Sequence, residues 1–360
     1  MDERTAWLTL SLWGGTLARP VREALAHGVA PQDLVEGRVP SQRLAAVLRK
    51  RPRVSVPKLL ADLGGLAQRA LTPADDEWPR ARLAALADPP PALFVQGALP
   101  LVGKRAVAVV GTRAATPYGT DLARALGQEL AAAGVDVVSG LALGIDGAAH
   151  RGALDAAGVT RAVIAGSLEH VYPPEHRSLA LQVVERGTLL GEAPPGTRPE
   201  RWRFVRRNRL VAALCDAVVV VEAPVKSGAL LTARMALEQG REVFAVPASV
   251  HQASSAGCLE LLRRGEAALA RSAADVLEAL GWERTDPVPA SPLQFPDAPR
   301  FDDPRAERLY RLLDTLDGAT DDELARRTGL ASHEVSALLT GWELEGRVER
   351  RPGIGVRRRR

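Results

Sequence analysis

The chain has 360 residues, 46% of them hydrophobic, with 47 Lys and Arg against 43 Asp and Glu for a net charge of +4. That length predicts one to three domains with a substantial core. No apolar run approaches the ~18 residues of a membrane span. Met1-Asp2-Glu3-Arg4 does not open a signal peptide, and Cys215 and Cys258 have no metal-ligand spacing, so a cytoplasmic chain with two reduced thiols and no membrane contact is expected.

Residues 1–80 read as a helical module. Leu8, Leu12, Val21, Leu25 and Leu34 alternate with turn signals such as Gly14-Gly15 and Ala30-Pro31, and no strand pattern stands out. Two readings fit: a helix-hairpin-helix or SAM-like relative that grips DNA backbone, or a small packing module. Residues 81–282 change character. Arg105–Gly111, Val135–Ser139, Arg161–Ala165, Ala217–Glu222 and Glu242–Val246 are apolar runs of strand length, and helical stretches such as Leu122, Leu126 and Leu130 lie between them. This alternation predicts an α/β fold, an extended Rossmann-like parallel sheet with helices on both faces. Five prolines between Pro287 and Pro299 mark residues 283–303 as a stiff linker. Residues 304–360 read as a winged-helix-like domain of three helices and a hairpin, ending in the basic tail Arg357-Arg358-Arg359-Arg360. Its candidate recognition helix, from Ser332 to Leu339, has no Lys or Arg and is flanked by acidic residues, which argues against reading a duplex major groove.

Parallel sheets bind ligands beyond the carboxyl ends of their strands, so functional chemistry is expected in those segments. The first is Gly111-Thr112-Arg113, where glycine permits a sharp turn and a strand-end guanidinium can grip a phosphate. It is not GxGxxG, and no Walker A sequence exists, so no cofactor is expected. After the second strand, Ser139-Gly140 opens a glycine-containing turn onto a helix N-terminus. Asp146 and His150 follow one turn apart, either as an acid/base or metal pair or as a helix cap with a satisfied histidine. In Arg198–Arg209, Trp202 and Phe204 alternate with arginines, including Arg206, Arg207 and Arg209 beside Asn208. Arginine neutralises phosphates and aromatic faces stack on unpaired bases, which suits single-stranded nucleic acid. Lys226-Ser227-Gly228, with Thr232 one turn on, opens another helix after a strand. No nucleophile elbow, HExxH or triad argues for catalysis, although a phosphate-binding α/β fold also suits a nucleotide- or phosphoribosyl-hydrolysing enzyme.

Gly111-Thr112-Arg113-x-x-Thr116-Pro117-Tyr118-Gly119, Ser139-Gly140-Leu141-Ala142-x-Gly144-Ile145-Asp146-x-x-Ala149-His150, Arg207-Asn208-Arg209 and Ser227-Gly228-x-x-x-Thr232-Ala233 resemble, in order and spacing, the DNA processing protein A family, also called Smf. The resemblance spans roughly residues 78 to 282. It implies a homodimer that binds single-stranded DNA, protects it and loads the RecA recombinase during natural transformation, with Arg113 as a phosphate contact and no enzymatic step. Phe204-Val205-Arg206 stands where the family commonly has Phe-Pro-x, Pro247-Ala248 where it has Pro-Gly, and Leu190-Gly191-Glu192 where Ser-Glu is usual. The stretch Gly257–Arg264, with Leu259, Leu261 and Leu262, is a candidate for the dimer surface, the alternative being that these leucines face the core.

Overall fold

The computed structural model describes residues 1–14, 18–39, 41–97, 105–282, 303–315, 319–344, 347–351 and 355–358. Two compact units divide between Val288 and Pro289. The first starts with helices α1 (Glu3–Trp13), α2 (Ala18–Ala26), α3 (Pro31–Glu36), α4 (Gln42–Leu48) and α5 (Val56–Gly65). Strand β1 (Arg69–Leu71), helix α6 (Arg80–Leu83) and strand β2 (Leu93–Gln96) follow. Then strands and helices alternate: β3 (Ala106–Val110), α7 (Pro117–Ala132), β4 (Asp136–Ser139), α8 (Ile145–Asp155), β5 (Thr160–Val163), α9 (Arg177–Arg186) and β6 (Thr188–Gly191). The unit closes with α10 (Arg201–Ala213), β7 (Ala217–Val220), α11 (Gly228–Glu238), β8 (Glu242–Ala245), α12 (Ala256–Arg263), β9 (Ala268–Leu269) and α13 (Ala273–Ala279).

The valine-rich runs are buried on both faces, as a sheet covered by helices requires. The described strands form one sheet in the order β1-β2-β6-β5-β4-β3-β7-β8-β9. Pairing is parallel from β6 to β9, whereas β2 runs antiparallel to both β6 and β1. The chain steps outward from β3 to β6, then α10 carries it back to β7 on the other side of β3. That reversal is a topological switch point, where open α/β sheets bind ligands. The expected Rossmann-like sheet is therefore present. The strand content of the first 80 residues needs correction: β1 lies there and joins the main sheet. Leu8 of α1 and Val56, Leu59 and Leu63 of α5 pack in one apolar cluster with Phe94, Ala162 and Leu189. Residue 80 thus marks no gap in packing.

One face of the sheet buries α10, α11 and α12 against β3, β7 and β8; the other buries α7, α8 and α13. Leu261 is buried and Leu262 packs against the first of these clusters, so of the two readings of Gly257–Arg264 the core-facing one holds for these two leucines. Helices α7 and α8 meet backbone to backbone, because a Cβ on Gly127 would strike the Ala149 carbonyl and one on Gly152 the Arg124 carbonyl. Between β4 and β5 lies a buried ion pair, Arg161 to Asp136 at 2.6 Å, with Arg161 also donating to Thr188 of β6.

The second unit has α14 (Pro304–Thr315), α15 (Asp321–Thr328), α16 (Ser332–Leu344) and the antiparallel pair β10 (Val348–Arg351) and β11 (Gly355–Arg358). Thr320 caps α15 by accepting from the Glu323 amide. Leu309, Leu313, Leu324, Leu339 and Trp342 share its core. The proline-rich linker, the hairpin turn Pro352-Gly353, and Arg359 and Arg360 of the tail lie outside the described residues.

Gly152→Ala should destabilise the first unit by about 1–3 kcal/mol, the cost of overpacking where backbone rather than a flexible side chain must yield. Urea unfolding of the variant checks this; an unchanged midpoint would show that the two helices separate freely.

Candidate nucleic-acid interface

At the carboxyl edge of the sheet, the loops after β3 and β7 are stitched together across the switch point. The Thr112 amide donates to the Glu222 carbonyl at 2.7 Å. The Glu222 carboxylate, on a residue 1% exposed, accepts from the Thr116 amide and hydroxyl at 2.9 and 2.6 Å and from Gln252 at 3.1 Å. Gly119 has no room for a Cβ beside that carboxylate. The start of α7 is thereby fixed, and with it the turn that carries Arg113.

Arg113 is exposed and lays its guanidinium 5.3 Å from the ring centroid of Phe204 on α10. Phe204 in turn meets Tyr172 edge-to-face at 5.4 Å, and Tyr172 is 47% exposed. A cation, a ring and a second ring are thus presented together at the strand ends. Asn208, one turn further along α10, donates to the Gly228 carbonyl at 3.3 Å and so brings the Lys226-Ser227-Gly228 turn to the same edge. Ser227 caps α11 by accepting from the Ala229 amide, and Lys226 is exposed.

Arg207 lies beneath this surface and is only 5% exposed. Its guanidinium donates to the Gly140 carbonyl at 2.7 Å and to the Val163 carbonyl, tying the ends of β4 and β5. A Cβ on Gly140 would lie 2.6 Å from that guanidinium, so this glycine makes room for the arginine. Burial pulls Arg207 down to about 10, opposed by the charge of Asp146 and reinforced by that of Arg113; the group stays cationic at neutral pH. Asp146 is pushed up by burial, while Arg207 and the amides of Gly140 and Ala142 hold it the other way. Arg113, Arg207 and Lys226 against the buried carboxylates of Asp146 and Glu222 leave the cleft with a positive balance.

Asp146 and His150 do not bond to each other. His150 Nδ1 lies 2.6 Å from the Thr160 hydroxyl, whose own proton goes to the Val137 carbonyl, so Nδ1 carries the hydrogen. Burial, with the neighbouring His176 and Arg151, lowers His150 to about 3. Cys215 and Cys258 are buried thiols pushed up to about 12, which removes both as nucleophiles near neutral pH.

The residues expected to touch DNA therefore divide. Gly111, Thr112, Arg113, Phe204, Asn208, Lys226, Ser227 and Gly228 line or edge the cleft. Ser139, Arg207, Arg209 and Thr232 point inward and need correction as direct contacts, because each is buried with internal partners. Ser139 donates to the Val109 carbonyl, Thr232 to the Gly228 carbonyl, and Arg209 pairs with Glu192 at 2.5 Å and Asp88 at 3.2 Å. Gly140 is buried against Arg207. Trp202 and Arg206 occupy another face of α10. Residues two apart on a helix sit about 200° apart, so Trp202 and Phe204 cannot form one stacking surface. Arg206 pairs with Glu192 at 3.0 Å. Tyr172 and Glu222 are the two cleft residues that the sequence reading passed over.

A doubly wound sheet with a cationic, aromatic-bearing edge at its switch point, followed in the chain by a winged helix, is the make-up of a DNA-processing protein. The chain belongs to the DprA (Smf) family: the model for DNA recombination-mediator protein A matches residues 69–281, and that for the DprA winged helix domain matches 293–353. It is 37% identical to Protein Smf of Escherichia coli K12, over 100% of this chain and 97% of that protein. It is 44% identical to a putative DNA processing protein DprA of Mycobacterium tuberculosis H37Rv, over 82% of this chain and 78% of that one. The structure of DprA from Streptococcus pneumoniae aligns with a TM-score of 0.66 and 31% identity, covering 77% of this chain and 98% of the other. DprA from Helicobacter pylori, described for a unique single-stranded DNA binding mode, aligns with a TM-score of 0.53 and 31% identity, over 59% and 95%. The family expected from the motifs is the family found.

The internal hydrogen bonds make two tests. Arg207→Met strands two buried carbonyls and the Asp146 carboxylate, and should cost about 3–5 kcal/mol in unfolding free energy; a stable variant would show that the strand ends need no such tie. His150 binds a proton near pH 3 when folded and near 6.5 when unfolded. Its contribution is therefore complete above pH 6.5 and drains away as pH falls towards 3. Wild type should lose about 2 kcal/mol relative to His150→Gln between pH 7 and pH 5. Parallel stability curves for the two would place His150 in contact with solvent.

Proposed function

We propose that the carboxyl-edge cleft binds single-stranded DNA, holding phosphates with Arg113 and Lys226 and bases against Phe204 and Tyr172. The observation that carries this reading is the exposed Arg113 guanidinium stacked on Phe204 above the buried cation of Arg207. A mononucleotide enzyme needs an enclosed pocket. An open edge with a cation and two rings suits a polymer whose bases are unpaired. The single-stranded DNA binding described for the Helicobacter pylori relative supports the same reading.

On this reading the protein is not an enzyme. It covers incoming single strands in the cytoplasm and, as a homodimer, hands them to RecA during transformation and recombination. Pairing two clefts makes the second contact intramolecular and raises avidity without new chemistry.

The test is a salt series of oligonucleotide binding. Arg113→Ala should weaken single-strand affinity by about 1.5–3 kcal/mol and flatten the salt slope by roughly 0.7. Arg186→Ala, exposed just before β6 at the opposite end of the sheet, should do neither. Equal affinity for duplex and single strand would defeat the stacking argument, and release of base or ribose from nucleotides would favour a hydrolase. Failure of wild type to promote RecA filaments on strands coated with single-strand-binding protein would remove the loading role alone.

A further inference from the structure

The face of α10 turned away from Phe204 has no part in the cleft, yet it is not plain surface. There α10 and the N-terminal helices enclose a cavity of about 220 Å³. Leu10, Trp13, Val21 and Pro194 give it an apolar wall, and Trp202 lines it while remaining 48% exposed. Arg22, Arg203 and Arg206 bring three guanidinium groups to the lining; Arg206 lies 3.0 Å from Glu192 and 3.9 Å from Asp88, Arg22 3.6 Å from Asp88, and Arg203 3.9 Å from Glu200. The Arg203 guanidinium stacks on Trp202 at 4.4 Å, and its Nε is buried with no hydrogen-bond partner.

We propose that this cavity is a second nucleotide subsite, which takes one base and its phosphate from the strand held in the cleft. The inference rests on the single-strand reading above and gives the N-terminal module a role in it. Three features select the occupant. A half-exposed indole carrying a guanidinium is a stacking wall for a flat aromatic ring, and every base offers one. Glu192, Asp88 and Glu200 balance the three guanidinium groups, exposed Arg198 and Arg201 add positive charge at the helix start, and the buried Arg203 Nε, 3.9 Å from Glu200, leaves a donor for a phosphate or carbonyl oxygen. The volume lies below the ~300–1,000 Å³ of ordinary small-molecule sites, which fits one base and not a dinucleotide or a folded peptide. The route is short. Phe204 and Trp202 are two residues apart on α10, and exposed Arg198 and Arg201 stand at the helix start, where a backbone passing from one face to the other would lie.

The experiment compares two lengths of oligothymidylate, one of about six nucleotides that fills the cleft alone and one of about eighteen, on the full-length protein. The variants are Trp202→Ala, Val21→Phe, which fills the cavity from the N-terminal side and leaves α10 unaltered, and Arg113→Ala, each checked for folding by circular dichroism. The two cavity variants should bind the long strand about tenfold more weakly and the short one like wild type, whereas Arg113→Ala weakens both. Wild-type affinity of both cavity variants for the long strand overturns the subsite and leaves the cleft reading intact. An equal loss at both lengths also overturns it, since the cavity would then not be a separate station. Loss in the cavity variants with Arg113→Ala silent keeps a nucleotide in the cavity and overturns the cleft reading instead.

Discussion

The carboxyl edge of this sheet is organised by one buried guanidinium. Arg207 reaches from α10 to the Gly140 carbonyl just past β4 and to the last carbonyl of β5, that of Val163, donating to both from one terminal nitrogen. Taking a cation out of water is costly unless its donors are used and a counter-charge is near. The two carbonyls and Asp146 meet that demand, and they set conditions on their neighbours. Gly140 has to lack a side chain, and Asp146 has to hold the Gly140 and Ala142 amides so that the turn closes over the arginine. The turn after β4, the first turn of α8 and the middle of α10 are therefore one interlocked group.

That lock fixes the rotation of α10 and so decides what the helix presents. With Arg207 inward, Phe204 sits one turn earlier on nearly the same face, beside Arg113 and Tyr172. Arg206 and Arg209 turn towards Glu192 and Asp88, and Trp202 towards the N-terminal helices. Two differently furnished faces of one helix follow: an open cationic edge at the switch point, and an enclosed aromatic cavity behind it. The Glu222 hub does for Arg113 what the Arg207 lock does for Phe204, so the cation and the ring are held by separate elements that meet at one place.

Much of the fold was legible because most central strands sit in apolar, largely valine-rich runs bounded by turn residues and are covered on both faces. β3, β4, β5, β7 and β8 were found from their apolar runs. β1, β2, β6 and β9 were not: β1 and β9 have only three and two residues, β2 follows a proline run without a turn signal of its own, and β6 is separated from α9 by Gly187 alone. The site was half legible. Glycine turns after strands located the edge, but charge was read as exposure. Arg207 and Arg209 are spent inside, where buried carbonyls and carboxylates outweigh solvation, and no local pattern distinguishes such arginines from surface ones. The Trp202–Phe204 spacing was read as one surface, which holds for an extended chain and fails on a helix. Tyr172 lay hidden in Val171-Tyr172-Pro173-Pro174, a loop with no periodicity, and Glu222 looked like the polar end of a strand.

The claim on which the account turns is that a single strand lies across the carboxyl edge with a phosphate on Arg113. A crystal structure of the full-length protein with a short oligothymidylate tests it directly. The account predicts a phosphate oxygen within hydrogen-bond distance of the Arg113 guanidinium, a thymine ring against Phe204 or Tyr172, and Arg207 unmoved on the Gly140 and Val163 carbonyls. A strand bound at the amino edge of the sheet, or Arg207 swung out to meet a phosphate, would contradict it.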